Sequence, residues 1–127
     1  MNLEHTAINV DAPAEMAAWW AENLGMRIVM AQDVEPYMHF IADDKGSMIE
    51  LYNNPAAPVP DYAGMAPFTL HLAFSTDDIE AERDRLLAAG ATLDTDVTDT
   101  PAGDKLVFLR DPWSVTVQFV QRKTPLV

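Results

Sequence analysis

The sequence predicts an α+β fold of two tandem modules, each ordered strand, helix, strand, strand, strand. Three repeated observations predict it. A histidine opens a short apolar strand twice, in His5-Thr6-Ala7-Ile8-Asn9-Val10 and in His71-Leu72-Ala73-Phe74-Ser75. Each strand runs into an acidic turn and a helix-like stretch that stops at glycine, Gly25 in one half and Gly90 in the other. Each half closes on a strand with one polar acceptor, Glu50 in Met48-Ile49-Glu50-Leu51-Tyr52 and Gln118 in Val117-Gln118-Phe119-Val120. The two histidines are 66 positions apart and the two acceptors 68, so the halves repeat almost in step.

In the first module, 1–54, residues 3–10 read as a strand. Asp11 reads as the helix N-cap and Pro13 as an early helical position. Ala14 to Leu24 is helical in composition. Arg27–Ala31, Tyr37–Ala42 and Ser47–Asn53 read as strands, the last two joined by the turn Asp43-Asp44-Lys45-Gly46. The linker, 55–67, holds four of the nine prolines and should be extended and stiff. In the second module, 68–122, Phe68–Ser75 reads as a strand, and Asp77 or Asp78 caps a helix that runs to Ala89. Strands follow near Thr92–Asp94, Lys105–Arg110 and Ser114–Gln121, with a polar loop from Thr98 to Asp104. Together the modules make one domain, 1–122.

Composition narrows the function. With 49% apolar residues in 127, the chain can build a core. The absence of cysteine excludes disulfides, thiolate metal sites and cysteine nucleophiles. A net charge of −12 argues against nucleic-acid binding, which needs a positive footprint. No run approaches a membrane span. The N-terminus lacks the basic start and apolar core of an export signal, so the expected location is cytoplasmic.

Alternation along the strands sorts the polar residues. Ile49 and Leu51 oppose Met48, Glu50 and Tyr52; Leu72 and Phe74 oppose His71 and Ala73; Val117 and Phe119 oppose Gln118. His5, Glu50, His71 and Gln118 all lie opposite an aliphatic face suited to pack on helices. A carboxylate in such a place must be paired, metal-bound or protonated. Imidazole, carboxylate and amide oxygen suit a divalent first-row metal, open among zinc, nickel, cobalt, manganese and iron. His39 is expected to be structural or at the surface, and one of Trp19 and Trp20 to bury against the sheet.

The His5-Thr6 opening, Asn23-Leu24-Gly25-Met26, Ile49-Glu50-Leu51, His71-Leu72-Ala73-Phe74 and Asp111-Pro112-Trp113 resemble the vicinal oxygen chelate superfamily. That superfamily includes glyoxalase I, bleomycin-resistance proteins and extradiol dioxygenases. The resemblance runs to about Gln121. It implies paired βαβββ modules that form a curled mixed sheet, the glyoxalase/bleomycin resistance/dioxygenase fold. It implies metal ligands at His5, Glu50, His71 and Gln118, and a homodimer with sites formed by paired modules. Met48, Tyr52, Asn9 and Asn54 are the substrate-binding candidates. Asn54 matches a glutathione-contacting asparagine of glyoxalase I, and Asn9 replaces an arginine of that enzyme. Gln118 stands where glyoxalase I carries a glutamate, and an amide cannot take a proton at neutral pH. Glu50 is therefore the candidate catalytic base. The implied activity is a metal-dependent lyase or isomerase, using the ion to stabilise an enediolate of a small oxygen-chelating substrate. The competing reading is a metal-free small-molecule binding protein of the bleomycin-resistance type.

Overall fold

The computed structural model describes residues 1–127, which divide into two compact units, Met1–Pro60 and Asp61–Val127. The first unit contains β1 (Thr6–Asn9), α1 (Pro13–Asn23), β2 (Arg27–Ala31), β3 (His39–Ala42) and β4 (Met48–Tyr52). The second contains β5 (Leu72–Ser75), α2 (Ile79–Ala88), β6 (Thr92–Asp99), β7 (Lys105–Arg110) and β8 (Thr116–Gln121). Their sheets have matching orders, β1-β4-β3-β2 and β5-β8-β7-β6. The first and last strands of each unit pair in parallel, and the other neighbours are antiparallel. A parallel pair needs a crossover, and α1 and α2 begin those crossovers. The repeated element order of the sequence is thus the repeated topology of the chain.

Each helix packs on the last three strands of its own unit. α1 buries Met16, Ala17 and Trp20 completely. Of the two adjacent tryptophans, Trp20 enters the core and Trp19 stays half-buried. α2 buries Ile79 and Leu86. The alternation in β4 appears directly: Ile49 and Leu51 are buried, while Met48, Glu50 and Tyr52 are half-buried. Both helix stops adopt positive φ, at Gly25 (65°) and Gly90 (105°), where a Cβ would be strained.

Several boundaries differ from the sequence pattern. Ala12, not Asp11, occupies the N-cap of α1 and offers no side-chain acceptor, so Pro13 carries the start alone. In α2 the cap is Asp78, whose carboxylate accepts from the Ala81 N–H. β5 starts at Leu72 because the preceding residues form turns, one closed by the Thr69 N–H to the Ala66 carbonyl. β6 runs on to Asp99 although its sequence is polar, because β7 supplies a hydrogen-bonding partner along its length. No helix is long and apolar enough to cross a membrane.

Candidate functional site

Each unit builds half of the predicted ligand set, and the two halves share one register. In the first unit the parallel pair sets Ala7 opposite Glu50, and the antiparallel pair sets Phe40 opposite Glu50. In the second unit Ala73 and Phe108 stand opposite Gln118. His5 and His71 each lie one residue before the first strand of their unit rather than inside it. Each is therefore two residues ahead of the alanine that pairs with the acceptor. Alternation returns a side chain to the same face after two residues, so histidine and acceptor share a face.

In the first half-site, His5 Nε2 lies 3.3 Å from Glu50 Oε2. His5 Nδ1 donates to the carboxylate of Glu4. The Glu4 hydrogen bond is the main cause that raises the His5 pKa above its ordinary value; the Glu50 charge adds to it, and partial burial opposes both. Phe40 packs edge-on against the His5 ring, with centroids 5.2 Å apart and planes at 86°. Met48 and Tyr52 flank Glu50 on the half-buried face of β4.

In the second half-site, His71 Nδ1–H donates to the Pro67 carbonyl at 2.9 Å. A carbonyl only accepts, so this bond fixes the proton on Nδ1 and leaves the Nε2 lone pair available. Phe108 packs edge-on against His71 at 5.4 Å and 83°, the same arrangement as Phe40 on His5. Phe68, almost fully exposed, packs edge-on against Phe108 in turn. Gln118, Thr116 and Phe108 are buried.

The donor chemistry fits a divalent ion within each half. Two bonds of about 2.0–2.2 Å from one ion place their ligand atoms roughly 3.0–3.4 Å apart, the spacing of His5 Nε2 and Glu50 Oε2. The carbonyl behind His71 Nδ1 is the usual outer partner of a metal-bound imidazole. No group of three or more His, Cys, Asp or Glu side chains gathers to hold a metal. Each half-site offers two donors.

The family's sequence profile, described as the Glyoxalase/Bleomycin resistance protein/Dioxygenase superfamily, matches residues 2–119. The chain belongs to that superfamily. Solved structures of similar fold include a glyoxalase family protein from Bacillus cereus (18% identity, 95% of this chain and 93% of that one, TM-score 0.79). A glyoxalase/bleomycin resistance protein/dioxygenase family enzyme from Burkholderia phytofirmans PsJN is similar as well (17%, 95% and 98%, 0.75). So is an antibiotic binding protein from Streptomyces sp. CB03234 (18%, 97% and 97%, 0.68). No curated protein sequence matches the chain. At these identities the likeness shows the glyoxalase-superfamily fold and leaves the chemistry to the residues.

The remaining candidates separate by what their side chains already do. Asn9 is buried, donates from Nδ2 to the carbonyls of Asn54 (3.2 Å) and Ala57 (2.9 Å), and accepts the Asn54 N–H at 2.8 Å. It locks the start of the linker instead of presenting a free amide to a substrate. The Asn54 Oδ1 accepts from the Ala56 N–H, closing the same turn. His39 is buried on the other face, opposite Leu51, and donates from Nδ1 to the Tyr37 carbonyl. Phe40 and Phe108 are the site residues that the sequence reading missed. Their spacing of 68 equals that of Glu50 and Gln118, and that coincidence is the signal that would have found them.

Proposed function

We propose that the chain is a metal-dependent lyase or isomerase acting on a small substrate with two adjacent oxygens. The observation that carries this is the convergence of His5 Nε2 and Glu50 Oε2, repeated in register by His71 and Gln118. His5, Glu50, His71 and Gln118 are the donors for a divalent ion; zinc, nickel, cobalt, manganese and iron all suit them. When bound, the ion supplies Lewis-acid stabilisation of negative charge on the substrate oxygens.

The other work falls to the chain's own groups. Glu50, the sole carboxylate among the four, takes the proton from the substrate carbon and returns it. Phe40 and Phe108 hold the two imidazole rings by their edges, and Pro67 fixes the His71 tautomer. Met48, Tyr52 and the free amide nitrogen of Asn54 line the substrate side, with Asn9 setting the Asn54 backbone. The protein works as a cytoplasmic homodimer on a small molecule, without nucleic acid or membrane.

The Gln118 amide favours a second reading, a metal-free protein that binds a small molecule. A neutral fourth donor weakens metal binding, and one structure of similar fold is that of an antibiotic binding protein. Elemental analysis of tag-free protein loaded with divalent ions, beside Glu50→Ala, separates the two. The expected result is near one ion per site in the wild type and none in the variant. No ion under any loading condition overturns the enzyme reading. Small-molecule binding that survives Glu50→Ala then establishes the second.

A further inference from the structure

Strand β2 is one edge of the first unit's sheet, and all five of its residues are exposed. Ile28, Val29 and Met30 are 44%, 53% and 39% exposed, and Val34 and Tyr37 beyond them are more than two-fifths exposed. A long apolar edge presents unpaired N–H and C=O groups to any other strand, and proteins guard such edges with charge, proline or a cover. The corresponding edge of the second unit is guarded. β6 carries Asp94, Asp96 and Asp99 and breaks register twice. β2 carries one register shift and no charge between Arg27 and Asp33.

The charges at the ends of this apolar stretch are self-complementary. An antiparallel pairing of two copies about Met30 sets Arg27 of each opposite Asp33 of the other. It also sets Ile28 opposite Gln32 and Val29 opposite Ala31. The backbone phase agrees. The Gln32 N–H donates to the Met38 carbonyl across the β2–β3 pair at 2.9 Å. By alternation the neighbouring Ala31 turns its N–H and C=O to the open side, and Val29, which has no register partner on β3 at the shift between Ile28 and Met30, stands where Ala31 of the second copy would meet it. A two-fold pairing of this kind uses one patch twice and closes on itself.

We propose that the β2 edge is the surface on which a second copy of this chain docks, strand to strand about Met30. The inference rests on the homodimer of the preceding reading and names its interface. The half-site lies toward the opposite edge of the same sheet, where His5 precedes β1 and Glu50 sits on β4, so docking on β2 leaves those strands unpaired by the partner.

Sedimentation equilibrium of the full chain tests this with charge swaps. The wild type is expected to be a dimer. Arg27→Glu or Asp33→Arg alone should weaken it about tenfold or more by setting like charges opposite each other. The double swap, Arg27→Glu with Asp33→Arg, should restore it. Met30→Lys, which puts two ammonium groups at the centre, should give monomer with an unchanged circular dichroism spectrum. A monomeric wild type overturns the proposal and the homodimer together. A dimer that survives Met30→Lys, or a double swap that fails to restore it, overturns this interface alone. Metal content of the same samples reports separately on the proposed chemistry.

Discussion

The two half-sites are built on one register and differ in what stands behind it. In the first, the acceptor is a carboxylate on a half-buried face, and the histidine leans on the side chain of Glu4. In the second, the acceptor is an amide among buried neighbours, and the histidine leans on the backbone carbonyl of Pro67. Phe40 and Phe108 touch their imidazoles in the same edge-on manner in both. The geometry repeats while the charge of the acceptor differs. The first half presents a carboxylate and the second a neutral amide, which takes no proton at neutral pH.

The helices behind the sheets differ in the side chains they bury, and there the largest effect is expected. Trp20→Ala in α1 should cost about 3–5 kcal/mol in urea unfolding, since Trp20 is completely buried. Leu86→Ala in α2 should cost about 2–5 kcal/mol. A clearly larger loss at Leu86 would break the expectation that the first module depends more on a single large side chain.

Restoring the missing charge should erase much of the functional asymmetry. Gln118→Glu should tighten divalent-metal binding about tenfold, a gain of ~1.4 kcal/mol. Titration against a competing chelator measures it. Unchanged affinity would mean that Gln118 does not face the ion.

The aromatic contacts should matter less and about equally. An edge-on pair contributes about 0.5–1.5 kcal/mol beyond its buried area. Phe40→Leu and Phe108→Leu should each weaken metal binding by roughly 2- to 10-fold on that scale while keeping the sheet packed. If only one does so, the likeness between the half-sites is confined to the backbone.

The smallest effect belongs to Glu4. Its hydrogen bond holds the His5 pKa above the ordinary imidazole value, so Glu4→Gln should move the His5 midpoint down in an NMR titration. A raised folded-state pKa stabilises the protein below the unfolded imidazole value of about 6.5. That contribution is lost as pH rises through the folded value. The stability gap between wild type and Glu4→Gln should therefore close on going from mildly acidic to alkaline pH. A gap that widens would reverse the assigned cause.

Much of this was legible in the sequence where patterns are local. Alternation in Met48–Tyr52 gave the correct buried face, Gly25 and Gly90 marked both helix stops, and Arg27–Ala31 and Lys105–Arg110 were read to the residue. What was missed depends on partners far along the chain. Nothing near Asn9 says that its amide closes a turn 45 residues away. Beyond Asp94 the polar sequence of β6 shows no strand pattern, because its partner β7 supplies the order. Phe40 and Phe108 carry no local mark of their place, which comes from their register opposite the two acceptors.

The segment joining the modules is held from both sides. Asn9 grips residues 54 and 57, while the Arg110 guanidinium donates to the carbonyls of Tyr62 (2.6 Å) and Met65 (2.8 Å) and pairs with Asp94. Every hydrogen bond described above closes within Met1–Pro60 or within Asp61–Val127. A cut at the Pro60–Asp61 bond would sever none of them. It would leave two pieces, each carrying its own anchor and its own pair of candidate donors, so the two units can be compared as separate fragments.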